Sequence, residues 1–570
     1  MKCWMILVVA TLCCCSVCCQ PVQRFEVVMT EIMADPLPVV GLPAAEYIEL
    51  KNRSKRLLRL DGCRITDGST SGIIGSGIIL PPDSLLVLCS RTFAPLFASF
   101  GRAVGLNTFP SIDNDEDEIV LLSPEGAVIH ALRFEAANYR NPLKEAGGWS
   151  LEMIDPGFPC HGSDNWAASV SPVGGTPGRN NSVNGVRSDM MPPGPVRTWS
   201  VDSLTVVVLF DEGLDSLTAA RTNAYTLQDG APLVVRALAM PPFFDRVTLM
   251  FDRPLRRDIV YALTVRDLRD CQGNAISTPV VLKTGRPGPA VSGQLRINEL
   301  LFNPRPGGAD YVELINLGPG ILDAVALQIG NAQNGGVAAN LKPLDPNPRL
   351  IFPGDHIVCT TDPGAVMRDY FVRERAWLWK MSVLPSFPDD AGCVVVLDHM
   401  GRELDRFNYD EDLHFPLLGE REGVALERVR PASPTASPGN WHSASSTSGY
   451  GTPTARNSQY MVADSLPGEV RLSNGVISPD LDGINDMLTV SWRFPATGNT
   501  MSLRVLDIQG RTIRTLLRNG LSGTSGEISW NGLRDGGHLM AAGPCVLWAE
   551  VADNRGRTRV WRLPFLVAYR

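Results

Sequence analysis

Four oxygen-bearing side chains fall within seven residues at Asp480, Asp482, Asn485 and Asp486, around Gly483. Calcium takes about six to eight oxygen ligands, and a glycine permits the tight turn that gathers them. The run lacks the third oxygen ligand of an EF-hand loop and its distal Glu. Asp and Asn also make turns by hydrogen-bonding their own backbone. Calcium and a plain turn are the two readings here, and calcium is the only cofactor that any cluster suggests. A denser acidic run, Asp113-Asn114-Asp115-Glu116-Asp117-Glu118, has the charge to hold a cation. It precedes the apolar Ile119–Leu122 just as Asp389-Asp390 precede Val394, so it reads as the solvated start of a strand. Glu31, Glu46 and Glu49 raise acid–base chemistry by paired carboxylates. Their counterparts Glu299, Asp310 and Glu313 recur without a nucleophile or a His partner, so both sets read as structural.

The other reactive types are scattered. None of the seven histidines (130, 161, 356, 399, 414, 442 and 538) begins a His-Glu-x-x-His zinc helix. The chain has no Gly-x-Ser-x-Gly elbow and no Gly-Lys phosphate loop. Trp149, Trp377, Trp379, Trp492 and Trp561 are candidates for a sugar or peptide platform, with core packing as the competing role. Trp166 and Trp441 read as core. Catalytic residues are therefore expected to be none.

The elements that position these residues are short strands. The chain has 570 residues, enough for about three to five domains. It is 44% hydrophobic and 20% charged, which excludes disorder as the main state. Its 53 Gly and 44 Pro, without a collagen period, call for many turns. Alternating runs such as Tyr47-Ile48-Glu49-Leu50, punctuated by Gly, Pro, Asn and Asp, predict strands throughout. One short helix is expected between Ala365 and Lys380. The net charge of −8 argues against a stable nucleic-acid partner. The only dense basic cluster is Lys51, Arg53, Lys55, Arg56 and Arg59.

Lys2 followed by an apolar run from Trp4 to about Val17 reads as a secretory signal, too short to span a bilayer. Cleavage after Cys19 gives residues 1–19 as the signal peptide; lipidation of a leader cysteine is the alternative. No transmembrane segment is expected in the mature chain. Seven of the 13 cysteines lie beyond the leader, scattered and without a Cys-x-x-Cys pair. Few disulfides are expected, and Cys89, Cys359 and Cys393 read as core hydrophobes.

The chain repeats itself. Glu31-Ile32, Glu46-Tyr47-Ile48-Glu49-Leu50 and Asn52 match Glu299-Leu300, Asp310-Tyr311-Val312-Glu313-Leu314 and Asn316. Leu151-Glu152 matches Leu426-Glu427, and Asn165-Trp166 matches Asn440-Trp441. Gly175-Thr176-Pro177 with Asn181-Ser182 matches Gly451-Thr452-Pro453 with Asn457-Ser458. The order is kept while the offset drifts only from 264 to 276 residues. These elements resemble the lamin tail domain, an immunoglobulin-like β-sandwich, over residues 22–183 and 292–459. Residues 186–290, between two Pro-rich linkers, carry Val207–Phe210 with Asp211-Glu212, then Asp270, Gly273 and Asn274. They resemble bacterial Ig-like modules of surface-layer type. Residues 466–570 open with Ser478-Pro479-Asp480-Leu481-Asp482-Gly483 and carry Gly510-Arg511 and Trp530-Asn531-Gly532. They are similar to C-terminal domains of type IX secretion cargo of gliding bacteria and to the Ig-like flagellar-hook-cap fold.

The fold class expected is all-β, with tandem Ig-like β-sandwiches. The resemblance implies an exported, non-catalytic surface protein of adhesive or scaffold modules, delivered through secretion machinery that reads the last domain. Periplasmic residence is the alternative location. A recruiter of polysaccharide or extracellular DNA and an accessory of a hydrolase system are the alternative roles. A surface protein or polysaccharide is the partner class expected of the remaining modules.

Overall fold

The computed structural model describes residues 21–569 except His161, Ser188, 333–335, 462–467 and Arg555. The expected leader, 1–19, lies outside the described residues. The chain is all-β. It divides into two compact units, one running to Pro254 and adding Tyr261–Leu282, the other made of Leu255–Val260 and Lys283 onward.

The first unit opens with a two-sheet module. Its larger sheet has the order Trp166–Ala168, Leu151–Met153, Val27–Met33, Tyr47–Asn52, Leu85–Ser90, Ala103–Leu106. Its smaller sheet runs Val128–Glu135, Glu116–Leu122, Arg64–Thr66, Ser71–Ile73. All seven residues of Val27–Met33 are buried, so this central strand is covered on both faces. Asn52 closes the neighbouring strand by donating from Nδ2 to Arg56 O at 2.8 Å and Leu80 O at 2.9 Å. The first carbonyl lies in the loop that follows and the second in the short strand Ile79–Leu80, so one Asn at the end of the strand ties both to it.

The second module of the unit pairs Pro195–Ser200, Thr205–Phe210, Arg246–Phe251 and Val234–Ala239 in one sheet. Tyr225–Leu227 and Tyr261–Val265 face them. Cys160 of the first module is bonded to Cys271 of this one. The five cysteines Cys63, Cys89, Cys359, Cys393 and Cys545 are free and buried.

The second unit repeats the first module strand for strand. Its larger sheet runs Trp441–Ser443, Leu426–Arg428, Leu295–Leu301, Tyr311–Asn316, His356–Thr360, Leu378–Lys380. Its smaller sheet runs Glu403–Asp410, Ala391–Asp398, Leu327–Asn331, Ala339–Pro343. The helix expected over 365–380 covers only Pro363–Asp369, with Asp362 capping it through Ala365 N. Leu378–Lys380 is instead a parallel edge strand beside Val358–Thr360. Trp379 on that strand is 3% exposed and packs in the core.

The last sandwich pairs Glu469–Leu472, Leu488–Arg493 and Ser525–Trp530 against a five-stranded sheet that includes Asn499–Asp507 and Gly543–Ala552. It is seated on the preceding module. Thr524 N donates to Ser458 O at 2.9 Å, Thr524 Oγ1 to Tyr460 O at 2.6 Å, and Ser446 Oγ to Leu521 O at 2.9 Å.

The disulfide closes a loop of 111 residues between two modules. Chain-entropy bookkeeping puts such a cross-link at roughly 5 kcal/mol. Replacing Cys160 and Cys271 together by Ser should lower the denaturant midpoint of the first unit. It should leave the midpoint of the second unit unchanged, and reductant should have the same effect on the parent protein.

Candidate functional site

The residues that recur between the two copies converge on a buried carboxyl cluster. In the first module, strand pairing sets Glu31 opposite both Glu49 and Glu152. All three glutamates are 0% exposed. Glu31 Oε1 accepts from Tyr47 OH at 2.6 Å, Ser150 Oγ at 2.6 Å and Thr176 N at 2.7 Å. Glu49 accepts from Thr30 Oγ1 at 2.9 Å and Gly178 N at 2.6 Å. Glu152 Oε2 accepts from Ser182 Oγ at 2.8 Å and Val183 N at 3.1 Å. The Thr176 hydroxyl lies between two carboxyls, 3.3 Å from Glu31 Oε2 and 2.9 Å from Glu152 Oε1.

The second module builds the same cluster from Glu299, Glu313 and Glu427. Tyr311 OH donates to Glu299 Oε1 at 2.5 Å, and Thr452 N donates to the same oxygen at 2.9 Å. Thr454 N donates to Glu313 Oε2 at 2.6 Å, and Gln459 N to Glu427 Oε2 at 2.8 Å. Thr452 Oγ1 is 2.8 Å from Glu299 Oε2 and 2.7 Å from Glu427 Oε1. A hydroxyl has one proton to give. Two such short contacts to carboxyls therefore require that one carboxyl donate, so one glutamate of the pair is protonated.

The electrostatics agree. Burial, with Glu152 nearby, lifts Glu31 to about 7. Burial and the adjacent Glu31 lift Glu49 to about 8. Glu299 is raised well above the usual carboxyl range by burial and then by Glu427 and Glu313. Glu427 is also raised by burial.

The Gly-Thr-Pro phrase now has a physical cause. A Cβ on Gly175 would stand 2.6 Å from Tyr47 Oη and 2.7 Å from Glu31 Oε1. A Cβ on Gly451 would stand 2.8 Å from Tyr311 Oη. Only glycine lets the closing segment approach, and the next residue, Thr, supplies both an N–H and a hydroxyl. Asn181 and Asn457 then fasten the segment. Each donates from Nδ2 to two strand carbonyls, Thr30 O and Met153 O in one copy, Asn298 O and Arg428 O in the other. The cluster is a clasp that holds the end of each module across three strands. It is sealed from solvent, so a substrate has no access to its carboxyls.

The sequence placed Glu46 and Asp310 beside these glutamates, and the structure does not. Glu46 is half-buried and faces Ile112 N at 3.4 Å, with Asp113 and Asp117 nearby. Asp310 is half-buried and lifted to about 7 by burial and Asp389. The third member of each cluster is Glu152 or Glu427. In the sequence both stand out only as repeat positions, because their neighbours are set by long-range strand pairing.

Asp480, Asp482 and Asp486 do come together, with carboxylate oxygens within 4.8 Å of one another. Asp486 accepts from Leu481 N and Gly483 N, both at 2.8 Å, and Asp482 from Ile484 N at 2.7 Å. Asn485 Oδ1 accepts from Asn474 Nδ2 at 2.9 Å. These are the bonds of a turn. A second acidic group, missed in the sequence, joins Asp189, Glu212 and Asp270. Burial and the surrounding aspartates lift Glu212 to about 8. Asp270 Oδ1 accepts from the backbone N–H of Gln272, Gly273 and Asn274, so it too organises a turn. The Asp113–Glu118 run is largely exposed, and Glu118 pairs with Arg133 at 2.6 Å.

Other candidates resolve into packing. Trp492 is 3% exposed, and Trp166 and Trp441 are also buried. Trp377 stacks on His356, and Lys144 sits 4.4 Å from the Trp149 ring. Arg559 lies 4.4 Å over Trp561. His130 is pushed down to about 3 by burial and accepts Met29 N at Nδ1, 3.1 Å away. Three members of the basic cluster are paired: Lys51 with Asp83, Arg56 with Glu26 and Arg59 with Asp61.

No protein-family model matches the chain, and no curated protein matches it. Solved structures with some likeness include the N-terminal part of the bacterial S-layer protein SbsC, 15% identical with a TM-score of 0.16. That match covers 30% of this chain and 41% of the other. A calcium-stabilised ice-binding adhesin of an Antarctic bacterium is 10% identical with a TM-score of 0.12, over 96% of this chain and 100% of the other. A tetra-tandem repeat of a large adhesion protein is 10% identical with a TM-score of 0.12, over 95% and 99%. The chain spans between 41% and 55% of the length of the S-layer chains it matches. Among the described residues, no helix is long and apolar enough to cross a membrane.

The clasp has a pH signature. The folded chain keeps protons that Glu31 and Glu49 release near 4.5 when unfolded, so stability falls as pH rises from about 4.5 to about 8. The thermal midpoint should be higher at pH 5 than at pH 8. Glu299→Gln copies the protonated acid, since its amide can donate to Thr452 Oγ1. It should keep the fold and weaken that pH dependence. Glu299→Ala strands Tyr311 OH and Thr452 N and should cost about 2–4 kcal/mol in denaturant unfolding.

Proposed function

We propose that the chain is an exported, non-catalytic surface protein whose sandwich modules serve as scaffold or adhesive units. The observation that carries this is the disulfide between Cys160 and Cys271, which joins two modules covalently. Such bonds persist in oxidising compartments and are rare in the cytosol. The signal-like leader supports the same location. The sealed carboxyl clusters support a structural role for the residues that most resemble an acid–base site.

The lamin-tail resemblance of residues 22–183 and 292–459 and the sorting role of 466–570 belong to this proposal. A surface protein or polysaccharide is the partner class, and the paired basic cluster gives DNA little to hold. Calcium at Asp480, Asp482, Asn485 and Asp486 is part of the same reading. If it binds there, calcium raises the thermal midpoint and Asp482→Asn removes the increment; no shift in the parent protein leaves a plain turn.

Fractionation of the native host tests the location. Full-length protein should be digested when protease is added to intact cells. A chain lacking 466–570 should stay inside, with its remaining modules folded by circular dichroism. Protection of the full-length chain in intact cells would overturn surface display. Equal surface exposure of both chains would overturn the sorting role alone.

A further inference from the structure

The two repeated modules differ most where the disulfide leaves the first. Matching backbone bonds fix the equivalence. Arg53 N to Glu26 O at 2.8 Å matches Leu317 N to Gln294 O at 2.8 Å. Phe25 N to Ile129 O at 2.8 Å matches Gly293 N to Leu404 O at 2.9 Å. Asp155 N to Asn165 Oδ1 at 2.9 Å matches Arg430 N to Asn440 Oδ1 at 2.8 Å. Arg24, Arg53 and Cys160 therefore stand where the second module has Ser292, Leu317 and Thr435. The second module closes the same sandwich without any of the three, so folding of the module does not call for two arginines at these positions. They accompany the cross-link.

The adjoining sandwich roofs this face of the first module. The Phe244 ring centre lies 4.0 Å from the guanidinium carbon of Arg24, and Asp245 meets Arg133 Nη1 at 3.4 Å. In the second module the equivalent face is an open groove of about 600 Å³.

The two cysteines border cavities of opposite charge, each of about 310 Å³. Cys160 is buried, and its cavity carries Glu135, Asp211, Glu212 and Asp245 against Arg24 and Arg133. Arg133 is already paired with Glu118 and Asp245. Cys271 is half-buried and shares its cavity with Arg24, Arg53, Ser54 and Gln272. The one acid on that wall, Glu26, is paired with Arg56 at 2.5 Å.

The two arginines of the Cys271 cavity are uncompensated. Arg53 donates from Nη1 and Nη2 to Phe25 O and Gly157 O, and Arg24 donates to Leu214 O and Phe243 O. Neither has a carboxylate in ion-pair distance among the described residues. Arg24 Nε is buried without a hydrogen-bond partner, and burial pushes the side chain down to about 10. The nearest acids are committed elsewhere: Asp155 accepts from Gly157 N and Arg187 N, and Asp215 from Thr218 N. Asp270, beside Cys271 in the sequence, is turned into its own turn. Gln272 Nε2 stands 3.8 Å from Cys271 Sγ.

Thiol–disulfide exchange begins when a thiolate attacks one sulfur and ends when the other leaves as a thiolate. Cations beside the bond favour both negative charges. An anionic nucleophile meets two free guanidiniums at Cys271 and an excess of acids at Cys160. Arg24 borders both cavities, so the charge that leaves on Cys160 forms beside it.

We propose that the Cys160–Cys271 bond is a thiol-exchange site, opened at Cys271 by a small thiol that carries an acidic group of its own. The incoming thiolate sulfur bonds to Cys271 Sγ and the bond to Cys160 breaks. Its electron pair leaves on Cys160 Sγ, which takes a proton from water. A second equivalent of the thiol displaces Cys271 and departs as the oxidised, disulfide-linked dimer of the thiol, so the cross-link is reduced by two electrons. The joint between the two sandwiches is then covalent or merely packed, according to the thiols around it.

The purified, oxidised full chain tests this, independently of where the protein resides in the cell. Its reduction is timed with 2-mercaptoethanesulfonate, 2-mercaptoethanol and cysteamine, each rate divided by the thiolate concentration. The sulfonate should be fastest and cysteamine slowest, about tenfold apart at low salt and closer together in about 0.5 M salt. Arg53→Leu, an exposed position given the residue of the second module, should keep the parental circular dichroism and lose most of that preference. Acid quenching, alkylation and peptide mass spectrometry should find the sulfonate thiol on Cys271 and the alkyl group on Cys160. Equal rates for the three thiols overturn the proposal. So does a preference unchanged in Arg53→Leu, or a mixed disulfide found on Cys160.

Discussion

A single threonine hydroxyl set between two buried carboxyls is the constraint on which each repeated module depends. Thr176 and Thr452 occupy this place, and neither can satisfy both neighbours unless one of them carries a proton. An ionised carboxylate at 0% exposure would be costly, and three together more so. The modules resolve this by donating backbone and hydroxyl protons to the cluster and by holding at least one glutamate neutral. The last segment of each module is drawn across the central strands as a result. Closure of the sandwich and protonation of its interior are therefore one event.

The clasp also decides how the recurring residues are to be understood. A trio of buried glutamates, two of them with lifted affinities for protons, is the usual raw material of acid–base catalysis. Here the donors come from the closing loop itself, and the loop covers them. The same trio appears twice in the same strand order, and in both copies it fastens chain to chain. What differs between the copies is the outside. One face is roofed by a neighbouring sandwich through Arg24 and Arg133; its counterpart carries Ser292 and Asn408 at those positions and stands open as a groove.

Much of this was legible in the sequence because it is local. The Gly-Thr-Pro phrase, Asn52 and Asn316, and the alternating Tyr-Ile/Val-Glu-Leu runs each mark a short-range requirement of turn, cap or pleat. The all-β fold followed from them. The partners of Glu31 were not legible, since Glu152 is 121 residues away and meets it only through strand pairing. The same holds for Cys160 with Cys271 and for Asp189 with Glu212 and Asp270. The helix is shorter than the sequence predicts because Trp377-Leu378-Trp379 has no period that separates a helical turn from an edge strand. Trp379 and Trp492, candidate platform residues by sequence, are core residues.

The most direct test of the clasp is the protonation state of its glutamates. Carbon-13 resonances of labelled glutamate side chains can be followed through a pH titration of the folded protein. The account predicts a subset of carboxyls that remain protonated well above the ordinary glutamate range, with one such signal lost in Glu299→Gln. If every glutamate in the folded protein titrates near 4.5, the carboxyls are ionised and the clasp as described here is wrong.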